Sequence, residues 1–323
     1  MNLPLVSVVI PAHNTAGYLP ETLASVAAQT YRPLEVIVID DASTDNTARV
    51  AESCLTHYGL VGKVLRRAPN PREWAGAARN EGARLATGDY LAFLDSDDLW
   101  LPHHLARAME LLQSYPDAVA YCCSGRCFRD QGIETGQSPE RGFPVEGYGA
   151  ILTDLVKASF VPNITLVVRR KVFDHCGGYH PGLRCYEDWW LDLHLAAIGP
   201  WVIEPRPGCR IRVRDDSLSR TRVGGRSFMS VPMYLDRVRL AVAMSRSGLL
   251  GFTDCNVLCQ ETQLFVSAGL FESLRNREIR RFFSIFFGCT TASPRLILPA
   301  AAQGVGAALR VGLARVVRGI FQR

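Results

Sequence analysis

Three acidic clusters carry the residue types and spacing for chemistry. Asp95-Ser96-Asp97-Asp98 follows the apolar run YLAFL (90–94), Asp40-Asp41 follows LEVIVI (34–39), and Glu187-Asp188 opens the segment EDWWLDLHLAAI. Asp95, Asp97 and Asp98 place up to three hard oxygen ligands on one short turn. Mg²⁺ or Mn²⁺ typically takes one or two carboxylates and completes its shell with phosphate oxygens. No glycine-rich phosphate loop of either common type occurs in the chain. A phosphorylated ligand would then depend on such a cation rather than on a backbone cradle. The competing reading of DSDD is a turn and cap before Pro102, because Asp and Ser favour turns. On these residues alone both stay open.

The elements around these clusters alternate. LVSVVI (5–10), LEVIVI (34–39), residues 63–65, YLAFL (90–94) and residues 118–122 read as strands. Between them, residues 18–29, 44–57, 73–86 and 102–114 have helical spacing, with Ser43 as a cap and Asp45 favouring the dipole of the second helix. Near-continuous apolar strands alternating with helices predict a mostly parallel sheet sandwiched by helices. Ligands of such sheets bind at the carboxyl ends of the strands, where two of the acidic clusters fall. Residues 130–147 read as a long loop, 165–168 as a strand, 171–175 as a short helix, and 201–203 and 209–213 as two strands. From Pro232 to about Phe287 the pattern is helical. The predicted division is 1–225, an α/β body; 226–290, a helical appendage; and 291–323, a basic amphipathic tail.

Composition limits the classes. The 323 residues are 48% hydrophobic and 21% charged, which excludes a disordered chain and fits a folded body with a sizeable core. Of 36 basic residues only three are lysines, a composition habit rather than a nucleic-acid signature, so no nucleic-acid partner is expected. Residues 279–323 hold seven arginines and no acid, which concentrates the net charge of +5 in the tail. No signal peptide is read at the start, and the expected location is cytoplasmic, with the inner face of the membrane within reach of the tail. The ten cysteines match no zinc spacing and are expected to be reduced and mostly buried. His103 and His104 read as helix-surface residues.

VSVVIPAHN (6–14), VIVIDDASTDNT (36–47), GAARNEGARLATGDYLAFLDSDDLWLP (76–102) and YEDWWLDL (186–193) together resemble the family-2 inverting glycosyltransferases, over roughly residues 5–219. The resemblance implies a GT-A, Rossmann-like α/β fold and transfer of a sugar from a nucleotide-diphospho-sugar, UDP- or dTDP-linked, to a saccharide or lipid-linked acceptor, in bacterial surface-glycan assembly. Carried over position by position, it puts Pro11, His13 and Asn14 in the nucleotide pocket. Asp41 reads the base with Asp40 beside it, and Arg79 with Asn80 contacts base and phosphates. Asp95, Ser96 and Asp97 correspond to the D-x-D motif, with Asp95, Asp97 and Asp98 as the ligands of Mn²⁺ or Mg²⁺. Glu187 falls near the acceptor, and Asp188 matches the catalytic base. Inverting transfer needs one such base on the acceptor side, while the metal takes the charge of the leaving diphosphate. Outside the resemblance, Asp188 would be a first-turn acid favouring its helix dipole.

The sequence departs from the family near Ile211–Ser219, where Arg214 stands at a position that many relatives fill with His. Arg212 and Arg214 either clamp a diphosphate or form a solvated, salt-bridged loop with Asp215 and Asp216. Trp189 and Trp190 either stack on a sugar or pack in the core. Two rivals remain: a sugar nucleotidyltransferase on a similar fold, whose glycine-rich basic first loop is absent from PAHNTAGY, and a non-catalytic nucleotide-sugar-binding module. In the tail, Val305, Leu309, Leu313, Val316 and Ile320 fall on one helical stripe with Arg310, Arg315 and Arg318 off it. The helix either docks on the protein or lies on an anionic bilayer as a peripheral contact, at roughly 1 kcal/mol per basic residue.

Overall fold

The computed structural model describes residues 3–70, 73–129, 132–140, 142–214, 220–223, 226–275, 284–285, 289 and 292–293. The tail stripe from Val305 and the Ser217-Leu218-Ser219 segment lie outside the described residues.

Strands and helices alternate as β1 (Val6–Ala12), α1 (Leu19–Ala27), β2 (Leu34–Asp41), α2 (Thr47–His57), β3 (Gly62–Arg67), α3 (Ala75–Leu85) and β4 (Tyr90–Phe93). There follow a short β5 (Leu99–Trp100), α4 (His104–Ser114), β6 (Ala120–Phe128), β7 (Glu134–Ser138), β8 (Gly147–Gly149) and α5 (Leu152–Leu155). Then come β9 (Val167–Arg169), α6 (Arg170–Cys176), α7 (Glu187–Ile198) and β10 (Trp201–Arg212). The sheet runs β3-β2-β1-β4-β9-β6-β10-β5, with β7 beside β6 and β8 beside β10. β3, β2, β1 and β4 are parallel. β9 enters antiparallel between β4 and β6, and β10 runs parallel to β6. The carboxyl ends of β1, β2, β4, β6 and β10 therefore share one edge.

Alternate strand residues face opposite helical layers. Val6, Val8 and Ile10 pack with Leu19 and Leu23 of α1 and Leu105 and Met109 of α4. Val9 and Ile39 point the other way, toward α3, where Gly82 has no room for a Cβ against Val9. α3 buries only small residues and one arginine: Gly76, Ala77, Ala78, Arg79, Gly82 and Ala83. That composition brings its backbone close to the sheet edge where the acidic clusters end.

Several sequence expectations are corrected. Ser43 does not cap α2: its hydroxyl accepts from the Asn14 amide at 3.0 Å, while Asp45 Oδ1 takes the Thr47 amide at 2.9 Å. The 130–147 segment contains β7 and ends at β8 rather than being loop throughout. The two strands expected at 201–213 are one, because bulges at Glu204/Pro207 and Pro207/Cys209 absorb the prolines. His104 is not on the surface. It is fully buried against Trp100 and Tyr121, which pushes its pKa down to about 3. All ten cysteines are free; five are buried and five partly buried.

By compactness the chain divides into residues 1–155, 159–182 and 187–214 as one unit, and 156–158, 183–186 and 215–323 as a second. Within the second, β11 (Arg220–Val223) pairs with β12 (Arg226–Met229), followed by α8 (Val231–Ser247) and α9 (Phe252–Arg275). Gly248, at φ +71°, ends α8 in a left-handed cap, so the expected helical stretch is two helices, with Tyr234 and Phe265 stacked 4.8 Å apart. Asp236 of α8 accepts the amides of Arg184 and Cys185 at 2.9 and 3.1 Å.

Candidate active site

The residues expected to line a nucleotide pocket sit where β1 and β2 end. Pro11 lies in β1 opposite Ile39. His13 Nδ1 is 2.7 Å from the Asp41 carbonyl oxygen, and His13 Nε2 is 3.1 Å from the Asn14 amide nitrogen, an arrangement that fits the Nδ1–H tautomer. Asn14, at φ +52°, accepts the Thr44 amide at 2.8 Å. Asp40 is buried and accepts the Ser43 amide at 3.0 Å, which makes it a brace for the turn. Asp41 is more open and pairs with Arg67 at 2.7 Å; Arg67 in turn pairs with Glu73. No sequence signal pointed to Arg67, because its partner is 26 residues away on the neighbouring strand.

At the end of β4 the four DSDD residues diverge. Asp95, 35% exposed, receives Arg79 Nη2 at 2.7 Å. Ser96 is buried, and its carbonyl accepts the Thr22 hydroxyl at 3.0 Å. Asp97, 25% exposed, pairs with Arg214 at 3.0 Å. Burial raises the Asp97 carboxyl and the charge of Asp95 adds to it, while Arg214 opposes. Asp98 is buried and accepts the Arg212 amide at 2.6 Å; burial and then the charges of Asp97 and Asp95 raise it well above the ordinary range. Arg212 also reaches Glu21 at 2.7 Å and the Asp97 carbonyl at 2.9 Å, over the rings of Tyr18 and Phe128. The two arginines are therefore paired within the site.

The acid pair opens α7. Glu187 is buried and receives Arg79 Nη1 at 2.8 Å. Burial, then the charge of Asp188, push it up to about 7 despite Arg79. Asp188 is partly buried, with Oδ1 on the Trp189 amide at 2.7 Å; burial raises it, Trp189 and Arg79 lower it, and Asp95 raises it again. Trp189 is core, its indole N–H donating to the Leu155 carbonyl at 2.8 Å. Trp190 is partly exposed, between the rings of His180 and His194. Both ends of the Asn80 amide are used by Tyr179: Nδ2 donates to its carbonyl at 2.8 Å and Oδ1 accepts its backbone amide at 2.9 Å. One turn along α7, Asp192 is buried, with its carboxyl raised well above the ordinary range by burial and by Asp188.

Among the described residues no three His, Cys, Asp or Glu side chains converge as a self-sufficient metal cage. Two part-exposed carboxylates, Asp95 and Asp97, on one turn fit a hard cation that draws its other ligands from phosphate and water. Asp98, the third expected ligand, is buried and has its Oδ1 on the Arg212 amide.

A family model described as glycosyl transferase family 2 matches residues 7–177. The uncharacterized glycosyltransferase alr2836 of Nostoc sp. is 38% identical over 109 residues, 34% of this chain and 33% of that protein. The uncharacterized glycosyltransferase YibD of Escherichia coli is 37% identical over 132 residues, 41% of this chain and 37% of that protein. The match thus spans little more than a third of these relatives. In fold, the chain is similar to S. aureus TarS 1–349 in complex with UDP-GlcNAc, at TM-score 0.68 and 18% identity, over 94% of this chain and 89% of that one. It is also similar to the mannosyltransferase PcManGT of Pyrobaculum calidifontis in complex with GDP-Man and Mn²⁺, at TM-score 0.56 and 20% identity, over 96% and 81%. With the family model matching over half of its length and the GT-A fold around the edge that carries its acids, the chain belongs to glycosyl transferase family 2.

Proposed function

We propose that this chain is a metal-dependent inverting glycosyltransferase that moves a sugar from a UDP- or dTDP-sugar to a saccharide or lipid-linked acceptor in surface-glycan assembly. The observation that carries the reading is that Arg79 joins Asp95 at the end of β4 to Glu187, neighbour of Asp188, across 2.7 and 2.8 Å. A donor-side carboxylate and an acceptor-side base thereby belong to one site. The nucleotide sugars in the TarS and PcManGT complexes support the donor class.

In this mechanism Asp188 accepts the proton of the acceptor hydroxyl as its oxygen attacks the anomeric carbon from the face opposite the diphosphate. The bond from that carbon to the diphosphate oxygen breaks, and the nucleoside diphosphate leaves. Asp95 and Asp97 would hold a divalent cation, which would supply Lewis-acid stabilisation of that leaving group. Asp41 and the His13–Asn14 turn meet the nucleoside. Burial raises Asp188 and thereby makes it a stronger base than an exposed aspartate.

The test is a panel of nucleotide sugars with Mn²⁺ or EDTA, read by thermal shift and by release of nucleoside diphosphate. One UDP- or dTDP-sugar should raise the melting temperature and turn over only with metal. Full turnover in EDTA refutes the metal dependence. Metal-dependent binding without turnover on any acceptor favours the binding-module rival. A cytoplasmic site of action and bilayer contact through residues 291–323 remain part of the proposal, carried by the tail's arginines; among the described residues no helix is long and apolar enough to cross a membrane.

A further inference from the structure

Arg79 is a buried cation held between two carboxylates of the α/β unit. Its side chain is 6% exposed, and both terminal nitrogens are taken, Nη2 by Asp95 at 2.7 Å and Nη1 by Glu187 at 2.8 Å. Its guanidinium carbon lies 5.3 Å from the centre of the Tyr179 ring. Tyr179 is itself fixed from two sides, by the Asn80 amide on its backbone and by its hydroxyl on Asn163 at 2.8 Å. Gly76, one helical turn before Asn80, completes the fit: a Cβ there would press on Glu187 and Tyr179 at 3.1 Å. The sequence resemblance placed Arg79 on the nucleotide. A guanidinium with each terminal nitrogen on a different carboxylate, and almost no exposed surface, is poorly placed to hold a base or phosphate as well.

We infer that Arg79 is a positioning residue: a strut that fixes the separation between Asp95, on the metal and donor side, and the Glu187–Asp188 pair that opens α7. Asp95 follows β4 and Glu187 begins a helix 92 residues later in the chain. The guanidinium is the link between them that α3 supplies. Glu187 on this account is the counter-ion of the strut rather than a ligand of the acceptor. The inference rests on the reading of Asp188 as the base.

The experiment measures kcat, donor KM and UDP affinity for Arg79→Met, Arg79→Lys and Glu187→Gln beside the unmodified chain. Arg79→Met should lower kcat by about a hundredfold, the scale expected for a displacement of ~1 Å between reacting groups, with UDP affinity changed less than about threefold. Lysine reaches one carboxylate at a time, so Arg79→Lys should recover part of kcat. Glu187→Gln keeps an oxygen for Nη1 and should retain more kcat than Arg79→Met. UDP affinity falling in step with charge removal while kcat holds overturns the inference and restores Arg79 to the nucleotide. Unchanged kcat in Arg79→Met overturns it as well. If Arg79→Met does not fold, the lysine and glutamine variants decide by the same split between kcat and affinity. If the unmodified chain turns over no donor, the base assignment fails separately, and UDP affinity of the Arg79 variants still decides whether Arg79 holds the nucleotide.

Discussion

Asn80→Ala probes the brace beneath that strut. The side chain makes two hydrogen bonds to one residue, donating to the Tyr179 carbonyl at 2.8 Å and accepting its amide at 2.9 Å. Both are part-buried, so truncation leaves two backbone groups incompletely paired. At roughly 1–1.5 kcal/mol each, the loss is about 2–3 kcal/mol. For a unit of about 200 residues each kcal/mol is worth ~2–4 °C, which predicts a fall in melting temperature of about 4–12 °C. Asn80→Asp separates the brace from mere space-filling. It keeps the acceptor for the Tyr179 amide but sets a carboxylate oxygen against the Tyr179 carbonyl, so it should destabilise at least as much as alanine. Thermal and urea unfolding of the three proteins, read by far-ultraviolet circular dichroism, give the comparison. An alanine variant within 1 °C of the parent, or an aspartate variant clearly more stable than alanine, refutes the reasoning.

Glu187, pushed up to about 7 from its ordinary 4.5, binds more protons folded than unfolded across that window. Its contribution to stability should be complete below about pH 4.5 and lost as pH rises through 7, and Glu187→Gln should flatten that part of the stability–pH curve; an unaltered slope contradicts the assignment. Asp97→Asn should weaken Mn²⁺-dependent UDP binding at least about tenfold by isothermal titration while leaving the unfolding midpoint near that of the parent; equal affinity removes Asp97 from the metal. His104 is buried and neutral; Nδ1 lies 3.6 Å from the Cys123 sulfur, and Nε2 has no hydrogen-bond partner among the described residues. His104→Leu gives up only the weak sulfur contact and should be near neutral or stabilising in urea melts; a loss above about 2 kcal/mol contradicts the reading of Nε2 as unpaired.

Much of the site was legible because it is written in local terms. An apolar run ending in carboxylates marks a strand and its carboxyl end together, which is how Asp41, Asp95 and Asp97 were placed on one edge. The boundaries of α7 were legible from its periodicity and its first-turn acids. What escaped is what distant chain segments decide. Arg67 on Asp41, Arg79 between Asp95 and Glu187, and Arg214 on Asp97 are pairings across 26, 16, 108 and 117 positions. The different fates of Asp97 and Asp98 depend on where β10 ends. His104 sits on a helix whose pattern reads as surface, and only packing against Trp100 and Tyr121 buries it. Proline and glycine in 204–208 signalled a break, yet β10 continues because parallel β6 supplies partners on both sides of the bulges.

The central claim is that Asp188 is the base of a group transfer, and Asp188→Asn tests it most directly. The substitution is nearly isosteric, keeps an oxygen for the Trp189 amide and cannot accept the acceptor proton. Steady-state turnover of the nucleotide sugar found by the metal-dependent screen should fall at least about a hundredfold, with UDP affinity and unfolding midpoint close to those of the parent. Turnover within a few-fold of the parent would contradict the account and move the base elsewhere, with Glu187 the first to examine.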